Sequence, residues 1–335
     1  MSEYTIRMKS FVTVIMIVIL TGAVCVGFTG CVSHHVSITH PAPPDSGSVH
    51  ILIYSDAGYA NDGQKYVAAA MVTRHKEYPF TFALCAGDNI QIKPEVFGSR
   101  SMMNPWGDGG LDEAFELPFA PLIESGLRFY TVAGNHDHQG FRYHIERNYS
   151  DNKNVTGMNS GGFVCPDSDY VVTCDRDKGI KIILLDVATA FSNLNWSDER
   201  EAFLRGELAK NDNRWTILVF HYPLWSSGED HGRDAALIEL RKIILPILDT
   251  YPVDFVFSGH DHHAELFRYR GKNETRLAIV GNTARPHGIN NEPDLPSVFR
   301  SDTRGFTELD IHGDTAELNF RSVDGSILFK DITRK

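Results

Sequence analysis

Carboxylates, an amide and imidazoles recur in this chain at the ends of short apolar runs. Ile51-Leu52-Ile53-Tyr54 leads to Asp56, and Phe82-Ala83-Leu84-Cys85 leads to Gly87-Asp88-Asn89. Phe129-Tyr130-Thr131-Val132 leads to Gly134-Asn135-His136-Asp137-His138. Ile217-Leu218-Val219-Phe220 precedes His221, and Val256-Phe257 precedes Gly259-His260-Asp261-His262-His263. These donors together suit iron, manganese or zinc. His260 and His262 lie two apart, so a strand would put them on one face and a turn would let them chelate as a pair. Asp56 or His221 alone is more simply a turn or core residue. The ordered set is different, because each block places costly polar groups directly after a buried run. Bound cations would compensate that cost.

The elements that must position these residues are legible. Apolar runs this short read as buried strands. In open α/β sheets, ligands gather at the carboxyl ends of strands, so five such ends could meet at one spot. Helical patterns cover Gln64 to Lys76, Glu113 to Gly126, Ser197 to Lys210 and Asp234 to Tyr251, with Ser197 as a capped start. Strands alternating with helices imply an α/β architecture. In the tail, Ala316 to Phe320, the turn signal Asp324-Gly325 and Ser326 to Phe329 form an antiparallel hairpin. The mixed strand order predicts two stacked sheets flanked by helices. Phe97 to Leu117, rich in Gly, Asn and Pro, reads as a rim loop that sets substrate shape, with Arg100 and Trp106 as contacts.

The ordered blocks resemble the calcineurin-like metallophosphoesterase superfamily. Within it the chain is most similar to purple acid phosphatases of the small, tartrate-resistant type, from about Val49 to Thr333. The resemblance implies a four-layer αββα sandwich and hydrolysis of phosphate monoesters by metal-activated hydroxide at a two-metal centre. Carried over by motif, Asp56, Asp88 and His262 hold the first metal and Asp88 bridges. Asn135, His221 and His260 hold the second. His136 faces the substrate, and His231 aligns with a substrate-side histidine if one residue is inserted. Asp137 and Asp261 would orient neighbouring imidazoles. One departure matters: the family's iron-binding tyrosine is replaced by Gln91. The implied metals are iron paired with iron, zinc or manganese, with a first site that can be divalent because the phenolate is missing. Gly58 fills the slot where many superfamily members carry a histidine, and Tyr59 is the alternative that could reach inward. A phosphodiesterase or nuclease on the same fold, and a catalytically impaired binding homologue, are the competing readings.

Length and composition fit a soluble globular chain, with 43 Asp and Glu against 32 Lys and Arg in 335 residues. Without a basic block, extended nucleic-acid binding is not expected; a small phosphate ester is the expected partner and a monomer the expected state. Arg7 and Lys9 precede an uncharged stretch from Phe11 to Phe28. Residues 1–31 therefore read as a signal, lipoprotein or membrane-anchor segment. Phe28-Thr29-Gly30-Cys31 resembles a lipobox, which makes Cys31 the candidate lipidation site. A lipid anchor ranks first, an uncleaved membrane anchor second and plain secretion third; each places the body outside the cytoplasm. Residues 32–48, with His40-Pro41-Ala42-Pro43-Pro44, read as a linker, and 49–335 as the catalytic domain. Cys165 and Cys174 bracket a turn-like segment and could form a local disulfide.

Overall fold

The computed structural model describes residues 35–41, 48–91, 110–140, 142–151, 158–175 and 179–335. In chain order the strands and helices are β1 (Val36–Pro41), β2 (Ser48–Tyr54), α1 (Asp62–Glu77) and β3 (Phe82–Cys85). A π-helical turn (Asp112–Glu116) runs into α2 (Leu117–Glu124), followed by β4 (Phe129–Thr131), α3 (Arg142–Ser150) and β5 (Phe163–Val164). Next come β6 (Asp169–Asp175), β7 (Ile180–Leu185), α4 (Asp198–Ala209), β8 (Trp215–Val219), α5 (Ala235–Leu248) and β9 (Phe255–Ser258). The chain closes with β10 (Ala264–Arg270), β11 (Glu274–Val280), β12 (Ser297–Ser301), β13 (Gly305–His312), β14 (Thr315–Ser322) and β15 (Ile327–Arg334).

These strands make two mixed sheets. One is ordered β1-β6-β7-β8-β9-β11-β10-β12, the other β15-β14-β13-β2-β3-β4-β5. The pleat explains why the ligand-bearing runs are continuously apolar. Ile51, Ile53, Phe82 and Leu84 point between the sheets, against Ile182, Leu184, Ile217 and Val219. Their neighbours Leu52, Tyr54 and Ala83 point the other way, under Val67 and Met71 of α1 and Phe119 and Leu122 of α2. On the far sheet, Ile183, Leu218 and Val256 meet Phe203 and Leu204 of α4 and Leu237, Leu240 and Ile244 of α5. Strands buried on both faces lose the alternation of a half-exposed strand. The layers are thus helix, sheet, sheet, helix, as expected.

The helices begin where polar caps stand. The Asn61 side chain accepts from the Gln64 N–H at 2.8 Å, and the Ser197 hydroxyl from the Arg200 N–H at 3.2 Å. The tail hairpin turns at Gly325, with φ of 85°. Three expectations need correction. The segment before Val49 is not all linker: Val36–Pro41 pairs in parallel with β6, and His40 is buried with its Nδ1 2.8 Å from the Tyr130 hydroxyl. An alternating Val36, Ile38, His40 face suits an edge strand despite the prolines that follow. The rim loop stops sooner than expected, since Leu111 and Phe115 are buried and 112–116 is helical; Arg100 and Trp106 lie outside the described residues. Cys165 and Cys174 are not bridged. Both are buried, but Cys174 packs between the sheets and Cys165 under the helices of the other layer.

Candidate metal centre

The five ligand-bearing runs end side by side. β2, β3 and β4 are adjacent and parallel in one sheet, and β8 and β9 are adjacent and parallel in the other. Beyond their carboxyl ends the backbone turns sharply. Asp56, Asp88 and His260 adopt left-handed conformations with φ of 56°, 55° and 68°. Such conformations cost roughly 1 kcal/mol or more each outside glycine and persist only where surroundings enforce them. Here backbone contacts do so. The Asp56 N–H donates to Gly87 O at 3.1 Å, Gly58 N–H to Asp88 O at 3.2 Å and Gln91 N–H to Gly58 O at 2.7 Å. The His260 N–H donates to Asp56 Oδ2 and the His136 N–H to Asp88 Oδ1, both at 3.0 Å. Gly134 is required because any Cβ there would run into the Asp88 carboxylate.

The side chains converge. One oxygen or nitrogen from each of Asp56, Asp88 and His221 lies within 4.8 Å of the others. Asn135 Oδ1 stands 3.1 Å from His221 Nε2 and 3.0 Å from His260 Nδ1. His262 Nε2 lies 3.4 Å from Asp56 Oδ1, and His221 Nε2 3.4 Å from Asp88 Oδ1. Each imidazole is fixed through its other nitrogen. His221 Nδ1 donates to Ala86 O at 2.8 Å and His262 Nδ1 to Arg285 O at 2.9 Å. His260 Nε2 faces Asp234 Oδ2 at 3.3 Å. A proton held on the outer nitrogen leaves the inner lone pair directed at the shared centre. Two carboxylates, one amide oxygen and three so-oriented imidazoles fit a pair of cations.

Electrostatics agree with that donor set. Burial draws His260 down to about 4, with His221 and His231 adding to the effect, so it is neutral and able to ligate. Burial also opposes charge on His262, but Asp56 outweighs it and raises the group to about 9. Asp56 is likewise disfavoured by burial yet held below the usual carboxylate range by His262. Metal binding would displace that proton, since a ligating imidazole must be neutral.

The remaining expected residues fall around this centre. His136 is half-buried beside Asp88. His231 lies against His260, the two rings tilted by 32° with centroids 4.2 Å apart. Gln91 lies at the tyrosine slot, with Nε2 donating to Asp88 Oδ2 and reaching Asp56 Oδ1 at 3.5 Å. Its buried Oε1 has no hydrogen-bond partner among the described residues. Tyr59 does turn inward: its ring meets His262 edge-on at 5.9 Å, and burial with Asp56 and Asp88 raises its hydroxyl well above the usual range. Gly58 cannot carry a ligand, since a Cβ there would stand 2.6 Å from Ile90 N and closer still to the Asn89 carbonyl.

Asp137 and Asp261 do not act as expected. Asp137 accepts from the backbone N–H groups of Asn89 at 3.1 Å, Ile90 at 2.9 Å and Gly134 at 2.8 Å. It therefore ties the Asp88 and Asn135 loops together and orients no imidazole, because free loop amides surround it. Asp261 instead accepts from the Ser226 hydroxyl at 2.5 Å. Sequence reasoning missed Asp234 and His287. Asp234 reads as a helix cap, and His287, stacked on His262 at 4.3 Å, sits in a loop after β11 with no strand-end signature. Arg142, missed likewise, donates to Ile90 O and His136 O, each at 3.2 Å.

Comparison with known proteins agrees with this geometry. Residues 49–264 match the model of the calcineurin-like phosphoesterase family, a span that holds all six ligand-type residues. The chain is 25% identical to purple acid phosphatase 4 of Arabidopsis thaliana, covering 89% of this chain and 87% of that one. It is 24% identical to tartrate-resistant acid phosphatase type 5 of Rattus norvegicus, covering 88% and 92%. Among solved structures, GAP50, the anchor in the inner membrane complex of Plasmodium, superposes with a TM-score of 0.69 at 20% identity, covering 86% of this chain and 89% of that one. Purple acid phosphatase PPD1 from yellow lupin superposes with a TM-score of 0.61 at 17% identity, covering 88% and 55%. With the family's span lying over this ligand cluster, the chain belongs to the calcineurin-like phosphoesterases, metal-dependent hydrolases of phosphoric esters.

Proposed function

We propose that this chain is an exported acid-phosphatase-like enzyme that hydrolyses phosphate monoesters with two bound cations. The observation that carries the reading is the set of three imidazoles, each pinned through its outer nitrogen and aimed inward at Asp56, Asp88 and Asn135. Asp56, Asp88 and His262 would hold the first cation. Asn135, His221 and His260 would hold the second, with Asp88 shared between them. Bound there, such a pair would supply an activated water and a clamp on phosphate oxygens. The protein does the rest. His136, held by its backbone at Asp88, stands on the substrate side to bind a phosphate oxygen or give a proton to the leaving group. His231, half-buried next to His260, offers a second group to the same phosphate. Buried Asp56 and Asp88 keep the water-polarising field within a low-dielectric hollow. Gln91 contributes no phenolate, so the first cation would be divalent or a loosely held Fe(III).

Export rests on the basic, then apolar N-terminus, with Cys31 as lipid anchor; both lie outside the described residues, among which no helix is long and apolar enough to cross a membrane. Metal analysis of purified protein, paired with turnover of p-nitrophenyl phosphate and its bis-ester, tests the proposal. Two ions per chain and preference for the monoester are expected. Preference for the diester would transfer the assignment to a phosphodiesterase, and folded protein with neither metal nor turnover would leave a binding homologue.

A further inference from the structure

Asp234 stands at the N-cap of α5 yet makes no side-chain cap hydrogen bond. An aspartate there ordinarily accepts from the second or third helical N–H. Its carboxylate is used elsewhere: Oδ2 lies 3.0 Å from His231 Nδ1 and 3.3 Å from His260 Nε2. Those two rings lie against one another, tilted, with centroids 4.2 Å apart. One oxygen thus holds a ligand-type histidine and a substrate-side histidine at once. Of the three inward-facing imidazoles, His221 and His262 are fixed by backbone carbonyls; His260 alone is fixed by a charged side chain.

We propose that Asp234 is a positioning residue that sets His260 on the second cation and His231 on the phosphate together. The inference rests on the two-metal reading above. With its proton kept on Nε2, His260 presents Nδ1 to the centre, where Asn135 Oδ1 already lies 3.0 Å away. The same oxygen takes His231 Nδ1, so that Nε2 is the nitrogen turned away from Asp234. A carboxylate raises the basicity of the imidazole it holds more than a carbonyl does, so the second site depends on Asp234 for affinity as well as aim.

The test is Zn2+ binding by Asp234→Ala and Asp234→Asn in the full chain, against wild type. Alanine is expected to weaken one of the two Zn2+ affinities by about 10- to 100-fold and leave the other unchanged, with asparagine in between. Chelator-treated Asp234→Ala is expected to melt below wild type, because its bonds to two imidazoles are lost, whereas Asp234→Asn keeps an acceptor for both and stays nearer the wild-type value. At saturating Zn2+, Asp234→Ala and His231→Ala each lower kcat for p-nitrophenyl phosphate, and the double variant is no slower than His231→Ala alone. Wild-type Zn2+ affinities in both variants, or additive losses in the double variant, overturn the proposal. Wild-type protein that takes up no Zn2+ overturns the two-metal reading, and this inference with it; that arm tells the two failures apart.

Discussion

Replacing Gln91 by leucine separates two roles for the residue that stands where relatives carry tyrosine. Its Nε2 donates to Asp88 and reaches Asp56, so the amide stands where a first cation would need space. Hydrogen bonds to charged groups contribute about 1.5–3 kcal/mol each, and losing two of them costs roughly 3–6 kcal/mol. Removing the partnerless, buried Oε1 returns about 1–3 kcal/mol. The net is a metal-free protein destabilised by about 2 kcal/mol, with leucine keeping most of the side-chain volume. Because a bound cation replaces those two bonds, the loss falls on the metal-free state alone. Zn2+ affinity at the first site should therefore rise by roughly thirtyfold, that same energy as a binding ratio. Urea unfolding of chelator-treated protein reads the first quantity and competition with a fluorescent zinc indicator reads the second. A tenfold or greater fall in Zn2+ affinity would refute the reasoning and make Oε1 a ligand.

Three further outcomes are expected. Iron-loaded wild type should lack an intense visible charge-transfer band and Gln91→Tyr should gain one; a strong band in the wild type contradicts a phenolate-free first site. Gly58→Ala should cost about 3 kcal/mol by urea unfolding, since its Cβ would meet the Asn89–Ile90 backbone, and Gly58→His should bind no additional metal; a stable histidine variant with a third ion defeats this. Burial lowers His40 from an ordinary 6.5 to about 4. Its neutral form is the one that fits beside Tyr130, so stability is complete above about pH 6.5 and falls as pH drops toward 4, by at most about 3 kcal/mol. His40→Phe should flatten that limb, and parallel pH profiles for the two proteins would disprove it.

Much of this was legible along the chain. Strand ends with ligand-type residues locate the centre because buried parallel strands are uniformly apolar and ligands follow their carboxyl ends. Ser197 marked a helix start and Asp324-Gly325 a hairpin, because caps and tight turns need particular side chains within a few residues. What was illegible depends on distant neighbours. His40 joins an edge strand only because β6 lies alongside, so a proline-flanked run looked like linker. Cys165 and Cys174 are close in sequence but belong to opposite faces of the layers. Asp137 stands between two histidines in sequence, whereas three loop amides claim it in space.

By itself the sequence determined which atoms are available for chemistry and at which strand ends they stand, since those follow from local polarity and periodicity. Only the tertiary structure decided which nitrogen of each histidine faces inward, that Asp234 serves two rings instead of its own helix, that Gln91 turns its amide nitrogen to the carboxylates, and that Gly58 has no room for a side chain. The contacts of Asp234 with His260, of Gln91 with Asp56 and of Gly58 with the Asn89–Ile90 backbone join segments remote in the chain, which no local pattern encodes.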